Sequence, residues 1–253
     1  MTVAGFVSTE KKWLRFEREW NDVLTKYEVP YLHMKEFAHS VRAFDGWKGQ
    51  EDKRKSLLIE LIKVAKKGVR KGFVVSVRLQ DYDEVNSDFR LREHWGNAYS
   101  FIGMGVVSDA MEWKKKHFPH APIKFVFEDG DVGQSDLKRC LRSEALAYSF
   151  IPKQEKQNDV IRYITPFQLA DFAAWENQIA FSRFHDGHYD NVDLDDPVKL
   201  LRQSWQALYK QIPSDPKAFS NEGLRSLCQS KHLHLPSSSS LSSVVDNHPA
   251  SLV

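Results

Sequence analysis

The sequence contains few cysteines, no long apolar run and little net charge. Cys140 and Cys228 are the only cysteines among 253 residues, and they are isolated, so neither a disulfide framework nor a thiolate zinc site is indicated. No stretch is long and apolar enough to span a bilayer, and residues 1–8 lack the features of a signal peptide. We therefore expect a cytoplasmic protein. A net charge of +2 is too small to indicate nucleic-acid binding by itself.

Strands and helices are predicted to alternate along the chain, which is typical of an α/β domain with helices flanking a mixed sheet. Apolar spacing predicts strands over 2–8, 73–79, 123–128 and 148–152, and helices over 10–27, 51–70, 95–117, 135–147 and 166–183. We expect strands 2–8, 73–79 and 123–128 to share one sheet. Residues 29–50 read as irregular, and a further helix is predicted from Asp195 or Asp196 to Leu208.

This pattern predicts three regions: a domain over 1–184, a C-terminal helical extension over 185–235, and a Ser-rich disordered tail over 236–253.

Three acids follow the clearest buried strand, Phe125-Val-Phe-Glu-Asp-Gly-Asp131. Glu128 ends the strand, Gly130 permits a sharp bend, and Asp129 and Asp131 flank that glycine. Ligands in α/β proteins bind at the carboxyl ends of strands. The alternative is a solvated acidic turn, because Asp-Gly is a common turn signal.

A second carboxylate, Asp171, lies among apolar residues in the helix that begins near Thr165-Pro166. Thr165 is predicted to cap this helix, with Gln168 completing a capping box. Gln168, Asp171 and Gln178 share one face of a 3.6-residue helix. Carboxylates on a strand end and a facing helix suit Mg²⁺ or Mn²⁺, which prefer oxygen ligands. The alternative is that Asp171 simply interacts with the helix dipole.

Histidines offer two further candidates. His33 and Glu36 lie together in an aromatic-rich segment, where they are either a general base with an outer-shell ligand or a hydrogen-bonded structural pair. His185 and His188 suggest a zinc hydrolase, but no third ligand is evident and a solvated turn is the simpler interpretation.

Six motifs occur in one order: Ala4–Val7, Trp13 with Trp20, Leu32–Phe37, Phe44–Trp47, Phe125–Asp131 and Phe167–Phe172. In this order, residues 2 to 184 resemble the family catalogued as domain of unknown function 3800. Its members are mostly prokaryotic and have a ribonuclease H-like fold.

The resemblance implies a metal-dependent nuclease-like site. Glu128, with Asp129 or Asp131, matches the family's central-strand position, and Asp171 matches its last-helix position. His33 and Gln168 match the recurrent His and Gln. Family members open with a strand bearing Asp-Glu-Ser-Gly, which this sequence lacks, so we expect an unpaired edge between strands 2–8 and 123–128.

The first hypothesis is a divalent-metal-dependent nuclease or phosphodiesterase. Glu128, Asp131 and Asp171 would be the ligands, and His33 would transfer a proton or orient the substrate. The carboxyl group of Asp171 should lie about 4–8 Å from that of Glu128 or Asp131, and like charge should raise a carboxylate pKa. The alternative is a non-catalytic module that keeps the fold and binds nucleic acid or a protein.

Overall fold

The computed structural model describes residues 1–157, 160–185, 206, 209, 210, 212–231 and 233. Its strands are β1 (Thr2–Val7), β2 (Lys71–Val77), β3 (Phe125–Glu128), β4 (Tyr148–Ile151), β5 (Gln154–Gln157), β6 (Val160–Tyr163) and β7 (Ser214–Phe219). Its helices are α1 (Glu10–Lys26), α2 (Met34–His39), α3 (Glu51–Gly68), α4 (Leu79–Phe89), α5 (Leu91–Trp95), α6 (Ala98–His117), α7 (Gln134–Ser143), α8 (Thr165–His185) and α9 (Asn221–Ser230). The fold is mixed α/β, as predicted. Residues 29–50 are more regular than expected, because they contain α2 and a 3-10 turn at Arg42–Phe44.

The strands form three small sheets. β2 lies between β1, which is antiparallel to it, and β7, which is parallel to it. β3 pairs with β4 in parallel, and β5 forms an antiparallel hairpin with β6. The prediction that strands 2–8, 73–79 and 123–128 share one sheet is therefore wrong. Hydrophobic periodicity identified these three strands, but it carries no information about which edges pair.

Every strand except β2 has an open edge within the described part of the chain, and β1 and β3 are among them. β1 pairs only with β2, and β3 pairs only with β4. All six residues of β1 are half-buried, whereas all seven residues of β2 are buried between its two neighbours. An edge strand with a half-exposed apolar sequence is normally protected by a neighbour or by charge.

Helix α6 packs against the three-stranded sheet and against the sheet of β3 and β4. One face contributes Ile102 and Val106 to an apolar cluster with Val75 of β2, and the other contributes Val107 to a cluster with Leu137 of α7 and β3 side chains. Close approach requires glycine here, since a Cβ on Gly105 would meet Val75 and one on Gly103 would meet Leu137. Glycines that weaken a helix by propensity therefore serve its packing.

Residues near the C-terminal end of the described chain belong to this core. β7 pairs along the length of β2, and Leu224 and Cys228 of α9 are fully buried in the cluster with α6. The predicted helical extension over 185–235 omitted this strand. The predicted helix from Asp195 or Asp196, His188 and the tail over 236–253 lie largely or wholly outside the described residues.

No helix in the described ranges combines the length and the apolar character needed to cross a membrane.

Candidate functional site

Helix α8 anchors the loop that carries His33. The carboxamide oxygen Oε1 of Gln168 accepts hydrogen bonds from Trp20 Nε1 at 3.0 Å and from Leu32 N at 2.8 Å. One turn later, Asp171 Oδ2 accepts a hydrogen bond from Met34 N at 2.7 Å. The backbone is thus held on both sides of His33, and the side chains that hold it come from the same face of α8.

The predicted capping box at the start of α8 is wrong. Thr165 Oγ1 is buried and has no hydrogen-bond partner among the described residues. The Gln168 oxygen that would accept from the cap backbone instead serves Trp20 and Leu32. Two tertiary donors outcompete the local motif, because a buried indole or amide N–H without a partner is costly.

Glu36 is a buried carboxylate, with 7% of its surface exposed, whose two oxygens are both occupied. Arg42 Nη1 donates to Oε1 at 2.9 Å and the Tyr31 hydroxyl donates to Oε2 at 2.8 Å. His33 Nδ1 lies 3.8 Å from Oε1. Burial, followed by the bond to Glu36, raises the pKa of Tyr31 to about 12. Glu36 is therefore committed to Arg42 and Tyr31, and His33 Nδ1 has no hydrogen-bond partner among the described residues.

The acidic turn after β3 is closed by Gln134 of α7. Gln134 Nε2 donates to the Glu128 carbonyl oxygen at 2.5 Å, and Gln134 Oε1 accepts from Gly130 N at 3.4 Å. Gly130 has φ 108°, a left-handed region that favours glycine. The turn fixes Glu128 at the point where the chain leaves the sheet.

The three acids of this turn face different neighbours. Asp129 is exposed and lies 3.3 Å from Lys138 Nζ of α7, so it points away from α8. Asp131 is also exposed and interacts with the hydroxyl group of Tyr99 on α6. Burial, followed by the charge of Asp131, raises the pKa of Tyr99. The charge of Asp171 raises the pKa of Glu128, after the larger effect of burial. The acid whose charge raises the pKa of Asp171, again after burial, is Glu36.

Glu128 and Asp171 are brought together from β3 and α8. Burial is the main reason that the pKa of Glu128 is raised, and the charges of Asp131 and Asp171 raise it further against the opposing effect of Lys153. Burial also raises the pKa of Asp171, although the Met34 N–H and His33 favour its ionised form. The raised pKa values follow the predicted direction, but desolvation outweighs like charge as the cause.

Lys153 provides the nearby cation. Its Nζ lies 3.8 Å from Glu128 Oε1, and its charge also acts on Asp171. Sequence reasoning missed it, although a signal existed: β3 and β4 are parallel with Glu128 opposite Ile151, so the residues just after β4 emerge at the same edge as Glu128. Tyr99, which was assigned only to a helix core, was missed as a neighbour of Asp131.

The donor set suits a hydrated magnesium-type ion better than a fully protein-coordinated one. No three His, Cys, Asp or Glu side chains within the described residues are arranged to hold a metal ion. Mg²⁺ commonly keeps several waters and uses one or two carboxylates, with substrate phosphates. Glu128 and Asp171 fit that requirement. Asp129 does not fit it, because it is paired with Lys138. The predicted pair of His185 and His188 falls outside what the structure describes.

Comparison with known proteins adds no relative: no family model, curated protein or solved structure matches this chain. The function must therefore be argued from the geometry of the site.

Proposed function

We propose that the protein is a divalent-metal-dependent phosphodiesterase or nuclease of ribonuclease H-like type, in which Glu128 and Asp171 hold Mg²⁺ or Mn²⁺. One observation carries the proposal. Burial raises the pKa of two carboxylates, Glu128 at a strand end and Asp171 on helix α8, and the charge of Asp171 raises the pKa of Glu128 further. A protein interior that keeps two acids desolvated gains from a cation between them.

Each neighbouring side chain has a role in this chemistry. A bound divalent ion supplies Lewis-acid stabilisation of a phosphoryl oxygen and a water of lowered pKa. His33, positioned by the backbone anchors on either side, is placed to exchange a proton with the substrate. Lys153, with 57% of its side chain exposed, is available to bind a non-bridging phosphate oxygen.

The ribonuclease H-like assignment includes one further extended segment between β1 and β3. Three features support it: the open edges of both strands, the half-exposure of every β1 residue, and the packing of α6 against both sheets. A segment there would join the two sheets into one. A carboxylate on that segment would give the site a third ligand.

The catalytic proposal is tested with labelled single- and double-stranded DNA and RNA oligonucleotides, in Mg²⁺, in Mn²⁺ and in EDTA. We expect cleavage in the metal buffers that is lost in Asp171→Asn and in Glu128→Gln. Asp129→Asn is the matched control and should retain it, because Asp129 is bound to Lys138. Cleavage that survives both Asp171→Asn and EDTA would contradict the proposal.

The second candidate is a non-catalytic module that binds nucleic acid or a protein. It is favoured by the absence of a third converging ligand among the described residues and by the Lys153 cation that already balances Glu128. Oligonucleotide binding of equal strength in the native protein and in Asp171→Asn, with no cleavage by either, would favour it.

The proposed extra strand has its own test. A version carrying an Asp-Glu-Ser-Gly strand ahead of Met1 should melt at a higher temperature and bind Mg²⁺ more tightly, because it adds paired backbone and a ligand. A control extension with the acids replaced by Asn and Gln should keep the stability gain and lose the gain in affinity. Equal melting temperatures with and without the strand would count against the ribonuclease H-like assignment.

A further inference from the structure

A groove of about 590 Å³ lies between α1 and the β5–β6 hairpin, beside the carboxylate site. Its volume falls in the range of pockets that bind small organic ligands. Leu14 of α1 and Ile161 of β6 line it, and they are 62% and 52% exposed. Leaving two large aliphatic side chains exposed along one concavity is costly unless a ligand covers them.

The groove and the carboxylate site share one loop. Val29 and Pro30 line the groove, and the chain then continues through Tyr31 to His33. Tyr163, which also lines the groove, packs against Tyr31 with ring centroids 4.4 Å apart and ring planes 40° apart. The Tyr31 hydroxyl group binds Glu36 beside His33. Tyr31 therefore links Tyr163 in the groove to Glu36, next to His33.

The groove also carries a guanidinium group that is not neutralised. Arg162 donates two hydrogen bonds to Glu17, so the charges of these two side chains cancel. Arg18 lines the groove and is exposed, and within the described residues it makes neither a hydrogen bond nor a salt bridge. The acid that responds to its charge, Glu19, is already bonded to Arg15. The groove thus keeps one positive charge available for an anion.

We propose that this groove binds a nucleotide unit of single-stranded nucleic acid, with the base against Tyr163, Leu14 and Ile161 and a phosphate on Arg18. The inference rests on the proposed function for the phosphodiester at Glu128 and Asp171, and it names the substrate class. Base stacking on an aromatic ring with a nearby arginine is how single strands are bound without sequence preference. A base in a duplex is paired and stacked, so it cannot enter the groove.

Binding is measured by fluorescence anisotropy with a fluorescein-labelled single-stranded oligonucleotide of about ten nucleotides, in EDTA so that cleavage does not interfere. Leu14→Ser and Ile161→Ser should each weaken binding by about tenfold, because each removes apolar area that the base would cover. Arg18→Gln should weaken binding and reduce the slope of log affinity against log salt by about one phosphate contact. Leu79→Ser and Arg183→Gln, which change exposed residues outside the groove, are the matched controls.

Two results would overturn the assignment of the groove to the oligonucleotide. One is equal oligonucleotide affinity in the groove variants and the controls. The other is loss of binding of a labelled apolar peptide, but not of the oligonucleotide, in Leu14→Ser, which would make the groove a peptide site. Equal affinity for a duplex of the same length would also contradict the single-strand assignment. Groove-dependent binding without any cleavage in Mg²⁺ would support the groove and refute the proposed catalytic function, so the two failures are distinguishable.

Discussion

Replacing Asp171 by Asn separates the stability of the protein from its proposed function. The asparagine oxygen can still accept the Met34 N–H that Asp171 accepts at 2.7 Å, so the loop that carries His33 should keep its position. The change removes a partly buried charge whose pKa is raised mainly by burial. We therefore expect the metal-free variant to be more stable than the native protein at neutral pH.

Two opposing effects set the size of this gain. A hydrogen bond to a charged acceptor is worth about 1 kcal/mol more than one to a neutral acceptor, and Asn loses that difference. A raised carboxylate pKa means that the cost of desolvation exceeds all favourable interactions of the ionised form. The folded state is therefore expected to be more stable with Asn than with ionised Asp at position 171. Substitutions that remove strain from functional sites gain about 0.5–2 kcal/mol, which corresponds to roughly 2–4 °C in melting temperature per kcal/mol.

The pH dependence of this difference has a definite sign. Because the folded pKa of Asp171 lies above its ordinary value of 3.8, the folded state binds more protons than the unfolded state between the two values. The native protein therefore loses stability as pH rises through that window. The difference between Asp171→Asn and the native protein should be smallest below pH 3.8 and should reach its plateau above the folded pKa.

Thermal melts in a pH series, with and without Mg²⁺, provide the assay. At an Mg²⁺ concentration of 100 times the dissociation constant, the native protein should gain about 2.7 kcal/mol, or roughly 5–10 °C. Asp171→Asn, with an affinity at least about tenfold lower, should gain at most about 1.4 kcal/mol. Asp129→Asn, which disrupts an exposed ion pair, should respond to Mg²⁺ as the native protein does. Destabilisation by Asp171→Asn across the whole pH series would refute the reasoning.

Three further changes test other parts of the structure. Lys153→Gln removes the cation 3.8 Å from Glu128 and should tighten Mn²⁺ binding several-fold in a titration, whereas weaker binding would contradict the role given to this lysine. Gln168→Ala leaves two buried donors without their acceptor and should cost about 2–4 kcal/mol in urea unfolding; a cost under about 1 kcal/mol would show that the loop is anchored elsewhere. Gly96→Ala combines φ 79° with a new Cβ that would clash with the Asp136 side chain, so it should cost at least about 2 kcal/mol. Gly46→Ala, with φ 77° and open space around it, should cost only about 1 kcal/mol.

Much of the local structure follows from the sequence. Apolar spacing predicted a helix over 10–27, and α1 spans Glu10–Lys26. The positions of one acid at a strand end and of the other near a helix start predicted that Glu128 and Asp171 interact, and the charge of Asp171 does raise the pKa of Glu128. Both inferences depend on neighbours close in sequence or on a general rule about strand ends, which is why they could be made without coordinates.

Other features depend on long-range competition that a single sequence does not reveal. The Gln168 side chain satisfied a local capping pattern, but donors 136 and 148 residues away take its oxygen. The hairpin of β5 and β6 was not predicted, since Gln154–Gln157 has no apolar alternation. Strand pairing failed for the same reason, because the residues of β3 suit a sheet without specifying which strand lies beside them.

The central claim is that one divalent ion binds between Glu128 and Asp171. Titration of the metal-free protein with Mn²⁺, followed by electron paramagnetic resonance of the free ion, measures this directly. We expect one Mn²⁺ ion per native chain. The affinity for Mn²⁺ should fall at least about tenfold in both Glu128→Gln and Asp171→Asn and should be unchanged in Asp129→Asn. Failure of the native protein to bind Mn²⁺, or equal binding by the native protein and both site variants, would contradict it.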